Sequence, residues 1–501
     1  MKMTRLLTLL LAVLLTGTVL GGCSVTPPLQ PNKAPAVYEI FVGGFCDSNG
    51  DRMGDLNGIT QKLDTIRELG VDTLWLMPIM PSPSYHKYDV TDYCAIDPAY
   101  GTMEDFDALI TAATQRGMRV LLDLVVNHTG SGHPWFVDAK QNPNSPTRGY
   151  YSFSEAPQSG YAKVDDKTYY EARFTDTMPD LNLDSPQVRD ELKGIMDFWL
   201  TKGVAGFRLD AVTSYYTGNA AKNTEFLHWL TDTAKAIRPD AYLVGEAWTT
   251  DPEILGYYKS GIDSLFGFNF AGTQGRIVKA ISGKNGADFT AYLVDYNAAL
   301  RQANPAGRDA TFLSNHDMAR SAGFLQYKPE KQRLAAAIYQ LMPGVSYLYY
   351  GEELGMNGSG NDPNKRLPFP WADSGVGGCA PPVGSDQQNN APSLEAQQAD
   401  SGSLYHAYKA ILSVRKAHSQ FYDGTVTPLA PDCRELIAYT LQNADGTLAV
   451  VHNLSDQPQG LPMGDGYRLD RALNGTATLK SGQLELAAFA SAVLAVDGDN
   501  L

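Results

Sequence analysis

The chain is poor in cysteine. It has five in 501 residues, with no Cys-x-x-Cys pair and no His/Cys cluster. That pattern argues against a structural zinc site. It is also short of cations, with 40 Lys+Arg against 55 Asp+Glu and a formal net charge of -15. Nucleic-acid backbones are bound by Lys and Arg, so this balance argues against a nucleic-acid partner. Beyond the N-terminus no run is apolar enough to span a bilayer, which needs about 20 such residues. With 43% hydrophobic and 19% charged residues, the chain is neither disordered nor collagen-like. What is abundant is aromatic surface, including 27 Tyr. Flat rings with a polar edge suit sugar rings and large cores equally. At roughly 150 residues per domain, the length suggests about three domains.

Residues 1–22 carry Lys2 and Arg5 and no acid, and residues 6–15 are uninterruptedly apolar or weakly polar before a small-residue stretch. That is the layout of a secretion signal rather than a membrane helix. Leu20-Gly21-Gly22-Cys23 resembles a bacterial lipobox. The resemblance implies cleavage before Cys23 and a diacylglyceryl thioether on its sulfur. Residues 23–36, rich in Pro, Gln, Asn and Thr, then read as a tether. The expected location is the cell envelope, anchored by lipid to the outer face of the membrane, or secreted. That anchor is the only membrane contact expected. Cys46, Cys94, Cys379 and Cys433 remain, and they allow three disulfide pairings or four free thiols.

The body alternates. Apolar, β-rich runs begin near residues 37, 73, 120, 206, 242, 264, 310 and 346, with helical patterns between them. Ile59, Leu63, Ile66 and Leu69, for example, share one helix face. Continuous apolar strands alternating with helices predict an α/β fold: a (β/α)8 TIM barrel over residues 37–421. The rhythm breaks between strands three and four. Residues 129–180 carry Gly, Pro, Ser and many Tyr, and read as an inserted domain. After a helix over residues 403–418, short alternating runs with turns predict a C-terminal antiparallel β-sandwich over residues 422–501.

Barrel enzymes hold their chemistry at the C-terminal ends of the strands. Strand three runs into Asp123, Asn127 and His128, strand four into Arg208 and Asp210, strand five into Glu246, and strand seven into Asn315-His316-Asp317. Three acids can therefore face one mouth. Glycoside hydrolysis needs two carboxyls across a scissile bond, one a proton donor and the other a nucleophile or base. Arg208 lies two residues before Asp210, on the same strand face, where its guanidinium would hold the carboxylate ionised.

The stretches Asp123–His128, Gly206–Asp210, Gly245–Trp248 and Phe312–Asp317 resemble the four sequence regions of the alpha-amylase family, glycoside hydrolase family thirteen. Met178-Pro179-Asp180-Leu181-Asn182 resembles its fifth region, in the intermediate group that includes bacterial lipoprotein alpha-amylases. The resemblance implies a retaining hydrolase of starch and malto-oligosaccharides. By position it makes Asp210 the nucleophile, Glu246 the acid/base and Asp317 the transition-state stabiliser. Tyr88, His128, Arg208 and His316 become sugar-binding residues. A Lys-His pair common after the nucleophile is replaced here by Thr213-Ser214, which puts that contact in doubt. Ala211, a small residue after the nucleophile, weakly favours α-1,4 bonds. A neopullulanase, maltogenic or oligo-glucosidase specificity, or transglycosylation, stays open. The intact acids argue against a non-catalytic starch-binding protein. A monomer is expected.

Residues 47–55 place oxygen donors at every second or fourth position: Asp47, Asn49, Asp51 and Asp55, with the Met53 carbonyl between them. This resembles the start of an EF-hand loop, but Gly58 stands where the bidentate Glu would be. Many members of the family carry a calcium loop after strand one. Calcium is therefore the expected cofactor.

Overall fold

The computed structural model describes residues 33–496. The signal, the lipobox Cys23 and nearly all of the tether lie outside the described residues. Eight strands close a barrel: β1 Ala36–Ile40, β2 Thr73–Leu76, β3 Arg119–Leu124, β4 Gly206–Leu209, β5 Tyr242–Gly245, β6 Ser264–Phe266, β7 Arg308–Thr311 and β8 Val345–Tyr349. Each is parallel to its neighbours in chain order, and β8 closes on β1, pairing Ala36 with Ser346 and Glu39 with Tyr349. The strands are four to six residues long except β6, which has three. The apolar run after β6 does not stay in the ladder: Gly267, Phe268 and Phe270 turn into a loop. Strand seven starts two residues earlier than the sequence suggests. It opens on Arg308 and Asp309, whose charges mask it, and Asp309 is buried.

Residues two apart on a strand share a face, and the barrel uses this to build layers. Val37, Trp75, Leu121, Val244, Phe266, Ala310 and Tyr347 pack together inside it. The outward faces, such as Tyr38, Leu74, Leu122 and Phe207, meet the helices in a separate, larger core. Two residues further along the inward faces come Glu39, Asp123 and Glu246, while Arg208 pairs in register with Asp123. The polar layer thus sits directly on an apolar plug, at the C-terminal end of the strands. At the opposite edge Gly206 is required, because a Cβ there would lie 1.8 Å from the Tyr242 carbonyl oxygen.

The helices carry clear local signals. Leu56–Leu69 starts on Asp55, whose carboxylate accepts from the Gly58 N–H, and stops at Gly70 with φ 117°. Pro186–Thr201 starts on Ser185 with Pro186 at its first position, and buries Val188, Leu192, Ile195 and Trp199. Between β3 and that helix lie the helix Pro134–Gln141 and a small antiparallel sheet of Phe153–Ser154, Thr168–Glu171 and Tyr161–Asp165. Single bridges, His128 to Asp180 and Tyr151 to Leu181, seat this insertion on the barrel mouth.

After the helix Leu404–Ala417 the chain forms a five-stranded and a three-stranded antiparallel sheet. Leu436, Ala438 and Val451 from the first pack against Leu461, Leu484 and Leu486 from the second, as in a sandwich. Among the described residues all four cysteines are unpaired, and no helix is long and apolar enough to cross a membrane.

Candidate active site

The centre of the polar layer is Arg208, which is 1% exposed. Its Nη1 lies 2.9 Å from Asp123 Oδ1 and 2.6 Å from Asp210 Oδ1, and its Nη2 lies 2.8 Å from Glu246 Oε2. Asp210 and Glu246 are therefore held by the two terminal nitrogens of one guanidinium, and both line one cleft of about 360 Å³. Asp123 is further fixed by donation from Tyr88 Oη at 2.9 Å and Trp75 Nε1 at 3.3 Å. It anchors Arg208 from below and does not line the cleft.

The backbone between the two acids is bent for the purpose. Ala211 follows Asp210 with φ 51° and ψ 43°, a left-handed conformation that costs a non-glycine residue roughly 1–2 kcal/mol. The bend lets the Ala211 N–H donate to Glu246 Oε2 at 3.0 Å. Burial raises the Glu246 pKa above the ordinary value, with the Asp210 and Asp317 charges adding to it and Arg208 opposing. A proton on Glu246 is thus easier to keep than on a free glutamate.

Asp317 has the opposite environment. Its Oδ2 lies 3.1 Å from His316 Nε2 and its Oδ1 lies 3.2 Å from Arg366 Nη2. Burial pushes its pKa up, but His316, Arg366 and Arg208 overcome this and hold the carboxyl well below the usual range. His316 is raised to about 10: burial favours the neutral ring, yet Asp317 and Glu39 outweigh it. Its Nδ1 contacts Glu39 Oε1 at 2.5 Å, and its Nε2 also lies 2.8 Å from Tyr88 Oη. The ring is thus an imidazolium gripped from both sides. Tyr88, expected as a sugar platform, stacks on His316 with centroids 5.6 Å apart and planes at 11°. His128 is buried and shifted toward its neutral form by that burial, and its Nε2 has no partner.

All seven residues expected at the chemical centre are brought together; Arg208 and His316 do not line the cleft but are buried beneath it, paired with Asp210 and Asp317. Several others join them that the sequence reading did not single out. Glu39 fixes His316. Arg366 pairs with Asp317 and, through Nη1, with Asp362 and the Tyr85 hydroxyl. Trp248, 55% exposed, stacks on Phe268 at the rim, and Phe174, 51% exposed, stands against His128. Glu39 had a signal, an acid inside an apolar strand run. Asp362 and Arg366 had none, since they lie in a long irregular segment after β8.

The arrangement presents one carboxylate beside one readily protonated carboxyl, with a third carboxylate kept ionised across the cleft. That is the equipment for cleaving a glycosidic bond. A family model described as alpha amylase, catalytic domain, matches residues 39–424. The chain belongs to the alpha-amylase family. It is a glycoside hydrolase. Alpha-amylase 3 of Dictyoglomus thermophilum is 41% identical over 431 residues, covering 84% of this chain and 85% of that protein. The structure titled Eubacterium rectale Amy13B has a TM-score of 0.90 and 38% identity, covering 95% of this chain and 97% of that one. Glucan 1,6-alpha-glucosidase of Streptococcus dysgalactiae subsp. equisimilis is 30% identical, covering 84% of this chain and 91% of that protein. Alpha-amylase family membership therefore leaves bond specificity open.

The loop expected to hold calcium follows β1 and contributes no residue to the cleft. Asp47 accepts backbone N–H groups from Asn49, Gly50 and Arg52, Asn49 from Asp51, and Asp51 from Met53. Asp55 accepts from Ser48 and caps the next helix through Gly58. Burial slightly raises Asp47, but these N–H groups outweigh it and lower its pKa, so it stays ionised. The donor set is all hard oxygen, which fits calcium rather than a thiol- or imidazole-loving metal. Among the described residues no group of three or more His, Cys, Asp or Glu side chains is arranged so that it could hold a metal ion.

Proposed function

We propose that this protein is a retaining alpha-amylase that cuts internal α-1,4 bonds of starch and malto-oligosaccharides. The observation that carries the mechanism is the shared guanidinium: Asp210 and Glu246 are bound to one Arg208, and Glu246 is raised by burial. Retaining enzymes keep their two carboxyls about 5–5.5 Å apart so that one can attack carbon directly. Asp210 Oδ attacks the anomeric carbon while the Glu246 hydroxyl gives its proton to the departing glycosidic oxygen. The bond from Asp210 to carbon forms as the bond to oxygen breaks. Glu246, now a carboxylate, takes a proton from water, whose oxygen displaces Asp210 from the sugar. Asp317, kept ionised by His316 and Arg366, faces the same ring and opposes the positive charge that develops on it. Trp248 and Phe174 offer flat faces on either side.

Calcium belongs to this reading. Asp47, Asn49, Asp51, Asp55 and the Met53 carbonyl would hold it, and its contribution would be to brace the segment after β1. So does the envelope location, with Cys23 lipidated.

A second reading is cleavage of α-1,6 bonds. The 30% identity to a glucan 1,6-alpha-glucosidase supports it. Chromatography of the products from amylose, pullulan and isomaltose separates the two. Short malto-oligosaccharides from amylose are expected. Glucose from isomaltose with amylose left intact would overturn the α-1,4 reading.

A further inference from the structure

A second cleft, of about 390 Å³, shares no residue with the catalytic one. It opens where the irregular segment after β8 meets the start of the helix Pro329–Gln340. Gln332 forms part of its floor. The side chain is 8% exposed, and its amide oxygen has no hydrogen-bond partner. That oxygen lies where a side chain on Gly355 would intrude, since a Cβ there would sit 2.9 Å from it. Beside it the Arg333 Nε is also unpaired, although its Nη2 donates to the Gly402 carbonyl. An unpaired acceptor and an unpaired donor each cost free energy in a buried place. A hydroxyl is both donor and acceptor, so a ligand carrying several hydroxyls could satisfy each of them. At the rim stands Tyr327, 59% exposed, on a left-handed backbone with φ 52°. Asn390 and Asp400 complete the wall. One acid and one base, Asp400 and Arg333, offset each other here, and the remaining lining is amide, hydroxyl and apolar. The ligand that fits is neutral, rich in hydroxyls, and flat enough on one face to stack on a tyrosine.

We propose that this cleft is a second carbohydrate site, which holds a stretch of α-glucan chain away from the catalytic centre. Tyr327 is the stacking face, and Gln332 and Arg333 bind ring hydroxyls. The proposal rests on the α-glucan reading given above.

Gel electrophoresis through soluble starch tests it, with Asp210→Asn as a non-hydrolysing background. Tyr327→Ala on that background should lose most of the retardation, with affinity for the polymer falling about tenfold. Tyr327→Trp should keep the retardation, and Asn390→Ala should lose part of it. In the active enzyme, Tyr327→Ala should leave kcat/KM on maltotetraose unchanged. Retardation of the Tyr327→Ala protein equal to that of its Asp210→Asn parent overturns the second site. A wild-type enzyme that leaves both starch and maltotetraose uncut overturns the α-glucan reading, and the second site with it.

Discussion

The barrel buries acids in two ways, a few residues apart. At the mouth, Asp123, Asp210, Glu246 and Asp317 are in ion pairs with Arg208, Arg366 or His316. After β8, Glu352 and Glu353 are more deeply buried than Glu246 or Asp317 and meet hydroxyls instead. Glu352 accepts from Ser314, Tyr339 and Tyr408, and Glu353 accepts from Tyr38. Neither is in an ion pair among the described residues. Burial raises Glu353 to about 7, with Glu352 adding to the shift and the Tyr38 hydrogen bond opposing it. A hydroxyl can donate to a neutral or a charged carboxyl, so it does not prevent the proton from staying. A fixed cation opposes the proton, but it has to outweigh burial. At Asp317 the cations do so, and the carboxyl is held well below its usual range. At Asp123 and Glu246 burial wins over Arg208: both are raised, Asp123 to about 7. The two patches differ in their partners, and of the two only the mouth contains an acid that cations hold ionised against burial.

The largest test removes the charge from the centre of the mouth. Asp210→Asn should lower kcat on starch by about 10⁴-fold or more while leaving the melting temperature close to wild type. Activity near wild type would remove Asp210 from the attacking role. Glu246→Gln should cost about 10²–10⁴-fold in kcat on unactivated glucans. Its pH profile is the sharper readout. The working enzyme needs the proton on Glu246, and burial raises that pKa. Activity is therefore lost as pH rises through the raised value, so the alkaline limb of kcat/KM should lie above the ordinary glutamate range. A profile whose alkaline limb survives in Glu246→Gln would assign it to another group.

The mouth was more legible than its supports. Asp210 and Glu246 could be read because each ends an apolar run, and a barrel puts strand ends in one place. Arg208 was readable from the two-residue strand period, and it does pair with Asp210. Glu39 was visible as an acid in an apolar strand, but its role depends on the closure of β1 against β8. That closure brings it to His316, 277 residues away. Arg366 and Asp362 sit in a segment without periodicity, and only the folded chain shows that they reach Asp317. Strand seven was placed late because Arg308 and Asp309 look like a loop until the barrel buries Asp309. The eight-strand alternation itself was plain, since most of the strands are buried on both faces and read as largely apolar runs.

The hydroxyl-lined patch has a pH signature of opposite use. Glu353 has its folded pKa above the unfolded value of about 4.3, so the folded state holds the proton longer. Its contribution to stability is therefore greatest below the unfolded pKa and is lost as pH rises from there through about 7. Glu353→Gln, which cannot ionise, should flatten that part of the stability curve by up to roughly 3 kcal/mol. Kinetics on starch at pH 6 should hardly change. Denaturant titrations at pH 5 and pH 8 give the difference directly. A loss of activity like that of Asp210→Asn would erase the distinction between the two patches.

The loop at residues 47–55 adds a third way to hold an acid, with backbone N–H groups rather than cations or hydroxyls. Such donors are neutral. They orient Asp47, Asn49 and Asp51 without cancelling charge, so three negative groups, Asp47, Asp51 and Asp55, remain on one short segment. A divalent cation would cancel that repulsion and would be worth most where nothing else does. If calcium binds the loop, the folded state gains by mass action and the unfolded chain does not. A chelator should then lower the melting temperature by about 2–4 °C for each kcal/mol of binding energy removed. Calcium, but not magnesium, should restore it, because magnesium demands a tighter octahedron than this run of oxygens is expected to supply. Asp51→Ala, at an exposed position outside the cleft, should abolish the chelator effect while keeping most of the activity. An unchanged melting curve together with no metal by elemental analysis would show that the backbone N–H groups suffice by themselves.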